Sequence, residues 1–296
     1  MKTFFIILLF VINTFCTGDP VMNIGYYFST PDQIYLLPEA LLEISGITEL
    51  NATSIACVQD ERATIYIYDI NKNQIINQFN VGDSGDYEGI ARVDKTLYIL
   101  RSDGVITEIT NYESGKFKKT IHSTGIQWKD NEGFCFDQKN NRLLIAPKET
   151  PGKDSGNKNM RFIYGFSLSS DKLIKEPIVR LDLTIIKKFA LDNKIKVPMK
   201  GKKGEKQKPD LELKISEIGI HPITGNLFAL SGSERILYVF DMKGNIRYLQ
   251  RLNSDLLRQP EGITFMKNGD MFISSEGKKK PGTLVRFNYK PETVAY

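Results

Sequence analysis

Histidine is almost missing from this chain, with two residues in 296, and cysteine is nearly as scarce, with three. So few cysteines exclude a disulfide scaffold, because a small stapled domain needs several pairs. Cys57 and Cys135 sit in the apolar runs Ile55-Ala56-Cys57-Val58 and Phe134-Cys135-Phe136, and are read as buried thiols acting as small hydrophobes; a bridge between them is the alternative. The chain also lacks a nucleophile elbow, a phosphate loop and a paired-cysteine motif, and no later apolar run approaches transmembrane length.

Net negative charge is missing too, but the formal +5 misleads until it is located. Between Lys187 and Lys208 nine lysines face only Asp192 and Glu205, a local +7 that leaves the rest of the chain at about −2. The body is therefore mildly acidic, and a nucleic-acid partner is not expected. The basic stretch itself reads as a solvated loop, the functional alternative being contact with an anionic surface.

At the start, Met1-Lys2-Thr3 followed by the nine-residue apolar run Phe4 to Ile12 has the form of a signal peptide, assigned to residues 1–18. The protein is expected to be exported: periplasmic, outer-membrane-anchored or secreted. Anchoring would run only through a lipidated Cys16; cleavage after Cys16 or Gly18 by an ordinary peptidase is the alternative. Residues 19–296 are read as one domain, expected to be a monomer.

What the chain does have is a recurring motif. Asp86-Tyr87-Glu88-Gly89-Ile90 returns as Asn131-Glu132-Gly133-Phe134 and Pro260-Glu261-Gly262-Ile263, while Ser216-Glu217-Ile218-Gly219 exchanges Ile and Gly, and Ile44-Ser45-Gly46-Ile47 has Ser45 in the acid's place. The positions 45, 88, 132, 217 and 261 are 43, 44, 85 and 44 residues apart. Short apolar strands separated by turns follow each copy, as in Thr96 to Leu100 and Val105 to Ile109. This period, with four strands per unit, predicts an all-β β-propeller. Five blades are expected, six being the alternative that the long gap allows. In the five-bladed reading, Ile178 to Leu183 is the outer strand of the third repeat, and a Lys-rich insertion, about 184–212, opens with helical spacing. Ile34 to Leu37 is expected to close the ring against the last blade.

Leu42-Glu43-Ile44-Ser45-Gly46-Ile47, Val58-Gln59-Asp60-Glu61, Gly85-Asp86-Tyr87-Glu88-Gly89-Ile90 and Pro260-Glu261-Gly262-Ile263 resemble the SdiA-regulated family of exported bacterial proteins, which is similar to NHL-repeat proteins. The resemblance runs from about Leu41 to Phe287, apart from the Lys-rich insertion. It implies a five-bladed propeller with a calcium site, and implies activity less firmly than fold.

In a propeller the first strand of each blade lines the central channel, so Glu88, Glu132, Glu217 and Glu261, with Ser45, are expected to converge on the axis. Carboxylates crowded there raise one another's pKa, and a bound cation resolves the conflict. Oxygen donors without Cys or His select a hard ion, Ca²⁺. The alternative for each acid is a cap on backbone N–H groups of the neighbouring blade. Asp60, Glu149 and Glu276, each at the end of a second strand, form a candidate second tier at the channel mouth. His221 is read as a turn residue within His-Pro before Gly; His122 and Trp128 are candidates for the channel rim, Trp128 with core packing as the more ordinary role.

The function these residues imply is a calcium-binding module or scaffold at the cell envelope, taking a small-molecule, glycan or protein ligand at the channel face. The alternative is a Ca²⁺-dependent hydrolase of lactones or phosphoesters, which the scarcity of His disfavours.

Overall fold

A computed structural model describes residues 24–148, 157–201 and 207–293. Five antiparallel sheets follow one another along the chain, each opening on one copy of the motif. Blade I comprises Ile44–Asn51, Ser54–Gln59, Arg62–Asp69 and Gln74–Asn80, and blade II Tyr87–Val93, Thr96–Arg101, Val105–Thr110 and Lys118–Ser123. Blade III begins with Asn131–Asp137, Arg142–Pro147 and Met160–Ser167, and blade IV is Glu217–Ile220, Leu227–Ser231, Ile236–Phe240 and Ile246–Arg251. Blade V takes Pro260–Phe265, Met271–Ser275 and Thr283–Phe287, and its outer strand, Gln33–Leu36, comes from the start of the described chain. That swap joins first and last blades and closes the ring, as the sequence led one to expect.

The core is not one mass but five apolar clusters, one at each blade-to-blade interface. Strands buried on both faces lose the apolar–polar alternation of a one-sided sheet, which is why Ile236–Phe240 reads as an unbroken apolar run and is buried throughout. The cluster that seals the ring sets Tyr35, Phe272 and Leu284 of blade V against Ile55, Cys57 and Tyr68 of blade I. Cys57 is buried there, Cys135 is half-buried, and both are free thiols.

The long motif gap does not hold a sixth blade. The outer edge of blade III is split: Lys172–Leu173 pairs with one end of Met160–Ser167, and Val179–Asp182 with the other. Asp182 then caps helix α1 (Leu183–Asp192) by accepting from the N–H of Thr184 at 2.7 Å. The helix packs Leu183, Ile186 and Ala190 onto the cluster between blades III and IV. Where the lysine-rich stretch reads as loop, the ends of the described insertion form a short hairpin, Met199–Lys200 with Lys208–Pro209.

The buried Arg161 anchors the chain's return to blade IV by donating from Nε to the Leu213 carbonyl at 3.0 Å and from Nη2 to the Glu212 carbonyl. Glu234 accepts from the N–H groups of Glu212 and Leu213. Arg161→Met should therefore cost about 1–3 kcal/mol, the toll of leaving buried polar partners unmet, and should make residues 193–212 cleavable by protease while the blades stay intact. Uniform cleavage of the whole chain, or none, would contradict this anchoring role.

Candidate functional site at the acidic mouth of the channel

The acid of each motif is placed by a kink in its inner strand. Pairing with the second strand slips between Tyr87 and Gly89, Asn131 and Gly133, and Pro260 and Gly262, so Glu88, Glu132 and Glu261 are each the extra residue of a bulge. Blade I slips between Ile44 and Ile47, around Ser45. A bulged residue leaves the ladder and its side chain is re-aimed. Glycine follows because the next blade is already there: a Cβ on Gly89 would lie 2.4 Å from Phe134 Cβ, and one on Gly262 would lie 2.6 Å from the Ser45 carbonyl oxygen. The motif thus couples close blade packing to presentation of the acid.

The three bulged acids converge from blades II, III and V around one ammonium. Lys148 Nζ donates to Glu132 Oε1 and interacts electrostatically with Glu261 and Glu88 as well. Burial works against the charge on Lys148, but Glu132 and the other two acids outweigh it and hold its pKa above that of an ordinary lysine. Ser45 Oγ donates to the Glu88 backbone carbonyl at 2.8 Å and meets Glu88 Oε2 at 3.2 Å. Burial pushes the Glu88 carboxyl up to about 9, helped by Glu132 and Asp86. Glu261 is also raised, by burial, with the Gln259 side chain, Lys148, Ser216 and Lys278 opposing it.

The second tier follows the bulges. The residue after each second strand faces the residue before the next or its own motif acid: Asp60 O accepts from Tyr87 N, Ser102 O from Asn131 N, Lys148 N donates to Asp130 O, and Glu276 N to Gln259 O. Asp60 and Glu276 are brought to the same mouth. Burial raises Glu276 to about 7, with Glu261 and Asp60 adding to it; burial, then Glu43, raises Asp60, whose Oδ1 is buried without a partner among the described residues. Glu149 lies outside the described residues, and register puts Lys148 at the equivalent place in blade III. Counting along the chain from the motif acid misses Lys148, because the turn between the first two strands differs in length from blade to blade and the pairing of Asn131 with Pro147 sets the position.

Glu217 stands apart. The inner pair of blade IV has no bulge; Glu217 pairs in register with Leu230, and Ile218 takes the place of the motif glycine, with Gly133 of blade III facing it. Glu217 Oε1 accepts from the N–H of Phe134 in blade III and from Ile218 N at 2.9 Å, the capping arrangement across blades. Its Oε2 is buried and unpartnered among the described residues, and burial raises the carboxyl well above the usual range, with Glu88 and Glu132 contributing. His122 pairs with Glu108 at 2.9 Å on the outer strand of blade II, away from the channel. Trp128 Nε1 donates to Tyr164 Oη at 2.7 Å, and His221 Nδ1 accepts from Ile223 N and Thr224 N in its turn.

The donors at this mouth are carboxylate, hydroxyl and carbonyl oxygens, the type a hard cation takes. Among the described residues no three His, Cys, Asp or Glu side chains converge closely enough to form a ready-made metal cage. The donor chemistry fits Ca²⁺ in kind, and Lys148 supplies a built-in counter-charge.

Fold and site together define a five-bladed propeller with an acidic axial mouth. Residues 173–288, from the outer edge of blade III to the end of blade V, match the SdiA-regulated family. No curated protein matches the chain. Among solved structures, glutaminyl cyclase from Myxococcus xanthus is 13% identical, with 88% of this chain and 96% of that one covered at a TM-score of 0.56. The WD40 β-propeller domain of Doa1 is 12% identical, with 92% and 99% covered at 0.47. At 13% identity the likeness to the Myxococcus structure speaks for a shared fold alone. Among the described residues no helix is long and apolar enough to cross a membrane.

Proposed function

We propose that the protein is an exported binding module whose acidic channel mouth takes Ca²⁺ and, on that face, a small-molecule, glycan or protein ligand. The observation that carries this reading is an imbalance of acids over bases: Glu88, Glu132, Glu261 and Glu276 crowd a mouth with Lys148 among them, and burial raises Glu88 to about 9, Glu132 to about 8 and Glu276 to about 7. A divalent cation relieves that imbalance where one ammonium does not. When bound, calcium supplies positive charge and open coordination positions. The chain's own part is to hold Glu88, Glu132 and Glu261 on bulges above the axis, with Ser45 fixing Glu88 and Lys148 paired to Glu132. Millimolar Ca²⁺ should raise the melting temperature of EDTA-treated protein, and Glu88→Gln with Glu261→Gln should abolish the rise. An equal rise in the double variant would remove these acids from the ion's site.

A second reading, hydrolysis, has one observation in its favour. Burial raises Glu88 to about 9 and its neighbour Glu132 to about 8, the latter against the pull of Lys148, so two carboxyl groups with a proton to give stand side by side. A screen of lactones, phosphoesters and a glutaminyl peptide, the last after the activity that names the Myxococcus structure, separates the readings. No turnover by calcium-loaded, folded protein would eliminate the enzyme.

A further inference from the structure

The opposite end of the channel is built from different chemistry. There the last few residues of the inner strands, at Glu49, Arg92, Asp137, Ile220 and Phe265, line a cavity of about 790 Å³. The acids lie at the starts of these strands, about four residues back, hence roughly 13 Å away along the axis at 3.3 Å per residue. The cavity wall is mixed: half-buried Phe136, Ile220 and Phe265 give it apolar surface, Thr48, Gln138 and Thr224 add polar atoms, and Ile47, Ile90, Phe134 and Ile263 are almost wholly buried in the blade interfaces. On its lip Ile223 is 56% exposed, a large apolar side chain left in water beside the opening.

Charge at this end has the other sign once pairs are removed. Glu49 is neutralised by Arg92, whose Nη2 lies 2.7 Å from Glu49 Oε2, and Asp137 by Arg142 at 2.8 Å. Lys139 and Lys267 remain, both exposed lining residues with no ion pair among the described residues. A chamber of this size is within the range of small-ligand sites; the Phe136, Ile220 and Phe265 surface offers a place for an apolar body, and two unpaired ammonium groups at the lip select the sign of a polar head.

We propose that this mouth binds a small amphipathic anion, with its apolar body in the chamber and its anionic head against Lys139 and Lys267. The site is independent of the calcium reading, since it shares no residue with the acidic mouth. The apolar body is desolvated by the isoleucines and phenylalanines, while the head stays at the rim, where the lysines reach it without burying a charge.

Decanoate is the probe, titrated into the full chain by calorimetry and by NMR. Saturable binding of one molecule per chain is expected, with decanol, which keeps the body and lacks the charge, at least tenfold weaker, and acetate, which keeps only the head, silent. Lys139→Glu with Lys267→Glu should weaken decanoate at least tenfold without moving the melting temperature, because both side chains are exposed. Thr48→Trp, which fills the chamber from a half-buried lining position, should block decanoate and decanol alike. Glu88→Gln with Glu261→Gln should leave decanoate binding unchanged. Non-saturable binding, no binding by the folded protein, or an unaltered affinity in the double-lysine variant would overturn the proposal.

Discussion

Gly262→Val should lower the melting temperature by several degrees, the largest single-site effect expected in the inner ring. A Cβ at this position would lie 2.3 Å from Ser274 Oγ and 2.6 Å from the Ser45 carbonyl oxygen. The first atom belongs to a side chain that already donates to that same carbonyl at 3.1 Å, and the second is backbone of blade I, so neither can yield without opening the seam between blades V and I. Overpacking of this kind costs about 1–3 kcal/mol, and in a domain of this size each kcal/mol is worth roughly 2–4 °C. Gly85→Ala, in the motif block of blade II, is the control, because its nearest atoms belong to side chains rather than backbone, Arg101 and Tyr87 both at 3.2 Å. A wild-type melting temperature for Gly262→Val would show that the glycines do not govern blade spacing.

Stability of the metal-free protein should fall as pH rises from about 5 to 9. In the unfolded chain a glutamate titrates near 4.3, whereas in the folded protein burial raises Glu88 to about 9 and Glu276 to about 7. Between those values the folded state keeps protons that the unfolded state has released, so each pH unit favours unfolding. The contribution of each acid is complete below the unfolded pKa and is lost as pH passes the folded one. Glu217, raised in the same direction, adds to the slope. Glu88→Gln, which cannot ionise, should flatten the decline and melt above wild type at pH 9 in EDTA. A melting temperature that stays level from pH 5 to 9 would mean that the mouth does not hold its protons.

How much of this was legible beforehand depended on which physical constraint wrote itself into the sequence. Blade packing demands glycine at a fixed place in four of the five inner strands, so Gly46, Gly89, Gly133 and Gly262 and their period exposed the propeller. Five blades rather than six turned on the gap before Glu217, where a split outer edge, α1 and a short hairpin occupy the space; two-residue strands such as Lys172–Leu173 leave no period to read. The acids of blades II, III and V were legible because each sits on the same bulge. Glu217 was not, because exchanging Ile and Gly removes the bulge and turns one carboxylate oxygen onto the Phe134 amide. Lys148 was missed for another reason: its place depends on the length of the turn between the first two strands of blade III, which only the pairing reveals. Whether a counter-charge is an ion or a lysine is written in three dimensions, not in spacing.

The central claim, that the bulged acids form a cation site, is tested most directly by titrating Ca²⁺ into EDTA-stripped protein by calorimetry at pH 6 and pH 8.5. The account predicts saturable binding that tightens with pH as Glu88 gives up its proton, with heat lost in the Glu88→Gln, Glu261→Gln variant. Absence of a binding heat at both pH values in folded wild-type protein, or identical isotherms for wild type and variant, would contradict it.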